Sequence, residues 1–456
     1  MILERENSQF ELTDELIEQV ELCIETNDDK ELKRVLTEFH FADVAEILDE
    51  LDLEDSVYVI KLLDSETTSE ILMELDEDIR EKVLRNLTAK EIAEEVEELD
   101  TDDAADMIAE LSEERQAQVI SQIEDDEHRD EITELLAYED DTAGSLMAKE
   151  LVKVYETWTV AGCLRRIRGQ AKEVTRVHSI YVVNKEEKLI GRLSLKDLIV
   201  AKSDQKISDI LKETVDSVNV NDDVEDVAKV MSKYDLEAIP VVDENHTLLG
   251  RITIDDIVDV LKEEAEKDYQ LAAGITGDVE ADDSILELTR ARLPWLVLGL
   301  FGGLGSVFIM KGFENIMETV PSLFFYTPLI AAMAGNVGVQ SSAIIVQGIA
   351  NDNVKGSIGS RLLKEVGLSL INGFVLAILV ILFGFIIGQD PTESLAIALS
   401  MMSVIVVAAL VGTFVPIILD KRGIDPAIAT GPFITTSNDI LGIYLFFVLS
   451  GLIIGF

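Results

Sequence analysis

Cysteine is nearly absent: Cys23 and Cys163 are the two in 456 residues. Two thiols so far apart exclude a disulfide framework and a thiolate metal site, and they fit a reducing compartment. The four histidines, His40, His128, His178 and His246, are scattered, no Gly-x-x-x-x-Gly-Lys-Ser/Thr phosphate loop occurs, and no nucleophile stands with a base. Without any of these, no enzyme chemistry is legible. The opening residues MILERENSQF lack a basic stretch followed by an apolar one. No cleavable signal is therefore expected, and the front of the chain is expected in the cytosol. Bases are scarce too: 38 Lys and Arg stand against 88 Asp and Glu, a formal net charge of −50.

What is present is sharply divided near residue 290. From Leu293 onward there are nine acids and six bases, a net of −3, so nearly all of the negative charge lies earlier. Such a surface repels nucleic acid and anionic headgroups and makes cations the expected partners. A solvated acidic surface that keeps a cytosolic domain soluble accounts for the same charge.

Residues 1–140 read as consecutive short amphipathic helices. In Ala42–Leu51 and again in Ala104–Leu111, apolar residues recur at three- and four-residue spacing with acids opposite. Each helix can bury only one stripe, so neighbours must stack, as a small helical solenoid or as an unrelated bundle.

An internal repeat occupies 141–263. Ile180-Tyr-Val-Val, Gly191-Arg-Leu-Ser194 and Asp197 match Ile239-Pro-Val-Val, Gly250-Arg-Ile-Thr253 and Asp256 at a constant offset. Each copy predicts strand, polar turn, strand, then a helix opened by a capping Ser or Thr. This arrangement resembles a tandem pair of CBS domains, regulatory modules of α/β fold that often bind adenine nucleotides. The resemblance implies ATP-type contacts at Ser194, Asp197, Thr253 and Asp256. Ser or Thr as a helix cap, with Asp answering the dipole, accounts for the same residues. Residues 264–290 continue as a charged connecting helix and linker.

Residues 291–456 hold five apolar stretches, about 293–310, 322–350, 366–388, 394–419 and 427–456, each long enough to cross a bilayer. Arg290 and Arg292, then Lys355, Arg361 and Lys364, then Lys421 and Arg422 fall on one side, which predicts a cytosolic amino terminus and an extracytoplasmic carboxyl end. Asp439 stands alone in the fifth stretch. A carboxylate at mid-membrane costs at least ~2.5 kcal/mol, so it faces water or a cation, or is protonated. Gly431 and Pro432 are expected to loosen that helix, so that carbonyls such as that of Thr435 join Asp439 as hard ligands. One acid among neutral oxygens suits a small divalent ion that keeps much of its water, as Mg²⁺ does. In the second stretch, Asn336 and Gln340 share a face and either line a wet pore or hydrogen-bond between helices. Gly299-x-x-x-Gly303 reads as a packing motif.

An acidic helical front, two CBS copies, a charged connector and five spans with Pro328, Gly335-Asn-Val-Gly-Val-Gln340 and Asp439 resemble the MgtE family of magnesium channels over essentially the whole length. The resemblance implies a homodimer in the plasma membrane, the bacterial inner membrane, with a pore on the two-fold axis, Asp439 governing ion selection, and Mg²⁺ as both substrate and regulator. It also implies regulatory Mg²⁺ ligands at Asp102, Asp106, Glu225, Asp235, Asp256, Asp259, Glu264 and Asp268. Lys267 departs from the acid the family pattern leads one to expect there. Two other readings remain at this point: a proton- or cation-coupled divalent metal carrier, and a membrane-anchored nucleotide sensor.

Overall fold

The computed structural model describes residue 10 and residues 12–456, apart from 172, 173, 175, 278, 280–282 and 352–356. Lys355 and most of the opening segment therefore lie outside the described residues. The chain forms two compact units, 1–261 and 262–456.

Among the described residues the first unit begins with ten helices: α1 (Asp14–Glu25), α2 (Asp29–Leu36), α3 (Phe41–Asp49), α4 (Leu53–Leu62), α5 (Ser65–Glu74), α6 (Glu77–Asn86), α7 (Ala89–Val96), α8 (Thr101–Ala109), α9 (Glu113–Ile120) and α10 (Asp126–Leu135). Short helices of this kind are marginal alone and persist through the face they bury. Their contacts skip one place in sequence: α3 packs on α5, α5 on α7, α7 on α9, α4 on α6, and α8 on α10. That is the stacking expected of a solenoid. Ile47, Ile71, Leu84, Ile92 and Ile108 are fully buried along it. Polar ties join neighbouring layers, with Arg80 paired to Glu110 and Thr68 donating to Glu95.

The repeat follows as β1 (Val152–Tyr155), α11 (Val160–Gln170), β2 (Ile180–Val183), β3 (Leu189–Leu193) and α12 (Leu195–Val200). The second copy is β4 (Val218–Asn219), α13 (Val224–Tyr234), β5 (Ala238–Val242), β6 (Leu248–Thr253) and α14 (Ile254–Ala273). In each copy the first pair of strands is parallel and the second antiparallel, and the register slips at the same place, Val182/Val183 and Val241/Val242. The repeated glycines are explained by close approach. A β-carbon at Gly191 would lie 2.8 Å from the Lys212 carbonyl oxygen, and one at Gly250 would lie 2.6 Å from that of Ala148. A larger residue would push an incoming strand segment off the sheet.

Among its described residues the second unit carries five helices long and apolar enough to cross a membrane: α15 (Ile285–Gly312), α17 (Ser322–Ala350), α18 (Ile358–Ile386), α19 (Pro391–Asp420) and α20 (Gly431–Ile454), with the short α16 (Glu314–Thr319) after the first. Three of their boundaries differ from the apolar stretches for local reasons. α15 starts early because Ser284 and Glu287 form a capping box, and α18 starts early because Ser357 caps it. α20 starts late because Asp425 and Pro426 open a separate 3-10 turn, Pro426–Ala429. α19 is the centre: α17, α18 and α20 all pack on it, and α15 packs on α20. Met401, Val404, Ile405, Phe446 and Phe447 form part of the buried seam.

Candidate ion sites

Asp439 is the ninth residue of α20, about 12 Å along the axis from its start at 1.5 Å per residue. It lies closer to the middle of this 24-residue helix than to either end. Thr435, one turn earlier, shares its face. Both meet Gly335 of α17, where a β-carbon would lie 3.0 Å from Thr435 Cγ2 and 3.5 Å from Asp439 Oδ1. No base among the described residues forms an ion pair with Asp439.

The expected loosened turn is absent. Pro432 sits at the first turn of α20, where its missing N–H costs nothing, and Gly431 precedes a continuous helix. Thr435 lies inside that helix, with its hydroxyl donating to the Gly431 carbonyl at 2.9 Å. The glycine serves another purpose. Gly431 has a φ of +50°, and a β-carbon there would collide with the Ala272 carbonyl oxygen. Gly274, with a φ of +78°, meets the Pro432 ring in the same way. The end of the connecting helix α14 is thus seated on the start of the helix that carries Asp439.

Asn336 and Gln340 are exposed on α17 and make no hydrogen bond with a described residue. The structure places them four residues apart on one face of α17. Two neighbouring features were missed from sequence. Asn438 is 1% exposed with neither amide atom hydrogen-bonded, and it presses on Gly338. Glu365 of α18 accepts a hydrogen bond from Ser341 of α17 at 2.7 Å. Glu365 follows Arg361 and Lys364 in the polar first two turns of α18, so little in the sequence set it apart from a solvated helix end. The Gly299-x-x-x-Gly303 reading is corrected within this chain: a β-carbon at either glycine would meet no described atom of another element within 4 Å, and it is Gly302 whose β-carbon would run into Thr436.

The first unit holds a second acidic site. Carboxylate oxygens of Asp100, Asp102 and Glu150 lie within 4.8 Å of one another. Asp100 and Asp102 stand at the start of α8, and Glu150 arrives from the segment before β1 and accepts from the Thr101 amide and hydroxyl, the latter at 2.9 Å. Burial pushes the Asp102 carboxyl well above the usual carboxylate range, with Asp103 and Asp256 adding repulsion. Burial likewise pushes Asp103 up to about 7 and Asp100 up to about 6. Asp256 is raised as well, mainly by burial, against two hydrogen bonds from Thr253 that favour its charge. A hard cation among these oxygens would relieve the repulsion, and an all-oxygen set suits Mg²⁺ or Ca²⁺.

Of the expected regulatory acids, Asp102 and Asp256 share this neighbourhood. Asp106 is exposed one turn along α8, and Asp259 is exposed on α14 close enough to repel Glu74. Glu225 and Asp235 are exposed on α13, Glu225 paired with Lys229 at 2.9 Å and Asp235 capping the helix at a φ of +51°. In the second unit, Glu264 is paired with Lys267 at 3.1 Å, and Asp268 is exposed. The unexpected lysine thus holds the carboxylate one turn before it. Asp100 and Asp103 could have been found in the run Asp100-Thr-Asp-Asp103; Glu150 could not, since only tertiary folding brings it there.

The four residues considered for nucleotide binding are engaged with one another. Ser194 and Asp197 form a capping box, the hydroxyl donating to the carboxylate at 2.7 Å, and Thr253 donates to Asp256 at 2.8 Å.

Comparison with known proteins agrees with this architecture. A family model described as divalent cation transporter matches 327–449, one described as MgtE intracellular N domain matches 39–141, and the CBS domain matches twice, at 143–204 and 207–263. The magnesium transporter MgtE of Enterococcus faecalis is 38% identical over 317 residues, 69% of this chain and 70% of that one. The protein of that name from Bacillus subtilis is 35% identical over 314 residues, again 69% and 70%. A crystal structure of the cytosolic domain of the Mg²⁺ channel MgtE in complex with ATP is 34% identical, with a TM-score of 0.51 over 54% of this chain and 99% of that one.

Proposed function

Since this chain belongs to the MgtE family of divalent cation transporters, we propose that it conducts Mg²⁺ across the plasma membrane and closes when cytosolic Mg²⁺ is plentiful. The observation that carries the reading is Asp439, held with Thr435 against Gly335 and without an ion pair to any base among the described residues. A charged carboxylate at that depth must face water or a cation. Hydrated Mg²⁺ can be held by one or two carboxylates through its water shell, which fits a single acid per chain better than a dedicated cage.

In this reading two copies meet about a two-fold axis. The exposed amides of Asn336 and Gln340 then line the path, and two Asp439 carboxylates face one ion. The described bases near the ends of the spans, Arg290, Arg292, Arg361, Lys364, Lys421 and Arg422, support a cytosolic amino terminus. The acids of the first unit supply the sensor. Asp100, Asp102, Asp103, Asp256 and Glu150 repel one another until a divalent ion binds, so ion binding favours the compact arrangement. Asp106, Asp259, Glu225, Asp235, Glu264 and Asp268 add further oxygens. The joint between Gly274, Gly431 and Pro432 lets movement of α14 reach the helix that bears Asp439. An adenine nucleotide at the CBS pair would have to share the Ser194–Asp197 and Thr253–Asp256 bonds.

Liposomes containing the purified chain and a trapped Mg²⁺-sensitive dye test the proposal. Entry well above that of protein-free liposomes, falling as Mg²⁺ is raised on the cytosolic face, is expected. Flux no faster than in empty liposomes would contradict it.

A further inference from the structure

The charge of the first unit is not uniform. Residues 143–204, the first CBS copy, carry twelve bases and seven acids, a net of +5, whereas residues 207–263 carry five bases and fifteen acids, a net of −10. Averaging over the whole chain hides this basic island.

Its centre is α11. Val160, Cys163 and Ile167 are buried, which turns Arg165, Arg166 and Arg168 outward, all exposed. None of the three forms an ion pair among the described residues, in a chain that has more than two acids for every base. Arg166 instead stacks over Trp158 at 4.2 Å. A second segment extends the patch. The backbone carbonyls of Ser203 and Gln205 accept from Ala161 and Val160 at the start of α11, which sets exposed Lys202 and Lys206 beside it, with Asp204 the acid between them. Directly before that segment, Ile199 and Val200 stand 76% and 77% exposed at the end of α12.

We propose that this face docks on anionic phospholipid headgroups of the membrane in which the chain is anchored. Unpaired arginines flanked by exposed aliphatic residues match a bilayer interface, where bases meet phosphates and the aliphatic groups enter the headgroup region. A polyanion free in solution is repelled by the chain as a whole, but a lipid surface is supplied at high local concentration by the five spans. Acids elsewhere on the unit do not cancel the patch, because their field decays over about 8 Å at physiological ionic strength.

The test uses the full chain in nanodiscs of phosphatidylcholine, alone or mixed with phosphatidylglycerol, with an environment-sensitive fluorophore on Ser203→Cys and a quencher on the lipid. The native cysteines, both buried, are spared by brief labelling. Quenching is expected with phosphatidylglycerol, weak in phosphatidylcholine alone, and reversed by high salt. Replacing Arg165, Arg166 and Arg168 together by Gln lowers the docked-to-free ratio on the order of a hundredfold. Equal quenching in both bilayers, or insensitivity to salt, overturns the proposal, and both are read on the chain with its arginines intact. A fluorophore shielded from water but not quenched by lipid also overturns it, because that result assigns the face to an acidic surface of a second copy.

Discussion

Asn438 of the fifth span lies against Gly338 of the second, its amide nitrogen occupying the space a β-carbon would need. Gly338→Ala is therefore expected to force α17 and α20 apart, at a cost of about 1–3 kcal/mol or more. Gly303→Ala, which meets nothing within 4 Å in this chain, should leave stability unchanged. Thermal unfolding of the two variants in detergent checks the contrast.

The acidic cluster predicts a measurable loss of Mg²⁺ response. Asp102→Asn or Glu150→Gln should raise the Mg²⁺ concentration that protects the first unit from limited proteolysis, on the order of tenfold. Glu225→Gln, on an exposed carboxylate already paired with Lys229, should shift it far less.

Lys267 gives a gain-of-function prediction. Its ammonium holds Glu264 at 3.1 Å, so Lys267→Glu frees one carboxylate and adds another. Closure, read as suppression of Mg²⁺ flux, should then need less cytosolic Mg²⁺.

Stability of the helical array should rise as pH falls from 8 towards 5. Burial lifts Glu95 from an ordinary 4.5 to about 7, and burial with repulsion from Asp76 lifts Asp49 from 3.8 to about 6. Each folded value lies above its unfolded one, so protonation favours the fold. That stabilisation is complete below the unfolded values and is lost as pH rises through about 6 to 7. Glu95→Gln should be more stable than the native chain at pH 8, by on the order of 3 kcal/mol, and nearly equal to it at pH 5. Thermal melts across that range decide it.

How much of this was legible in the sequence depended on how local each cause is. The CBS copies were legible because Gly191 and Gly250, Ser194 and Thr253, and Asp197 and Asp256 keep one offset, and strand register and bulge repeat with it. The spans were legible from apolar length, but the starts of α15, α18 and α20 were not, because caps and a 3-10 turn set them. Pro432 was misread as a break since sequence alone did not show that the helix begins beside it. Glu150 beside Asp102, and Ser341 beside Glu365, come from distant segments, and only the folded chain brings them together.

Mg²⁺ entry into liposomes, compared between the native chain and Asp439→Ala with insertion verified, tests the central claim most directly. The native chain is expected to conduct, the variant to lose conduction or its preference for Mg²⁺, and cytosolic Mg²⁺ to suppress the native flux. A variant that conducts and selects like the native chain would contradict it, and Asp439 would then be a structural residue of the fifth span.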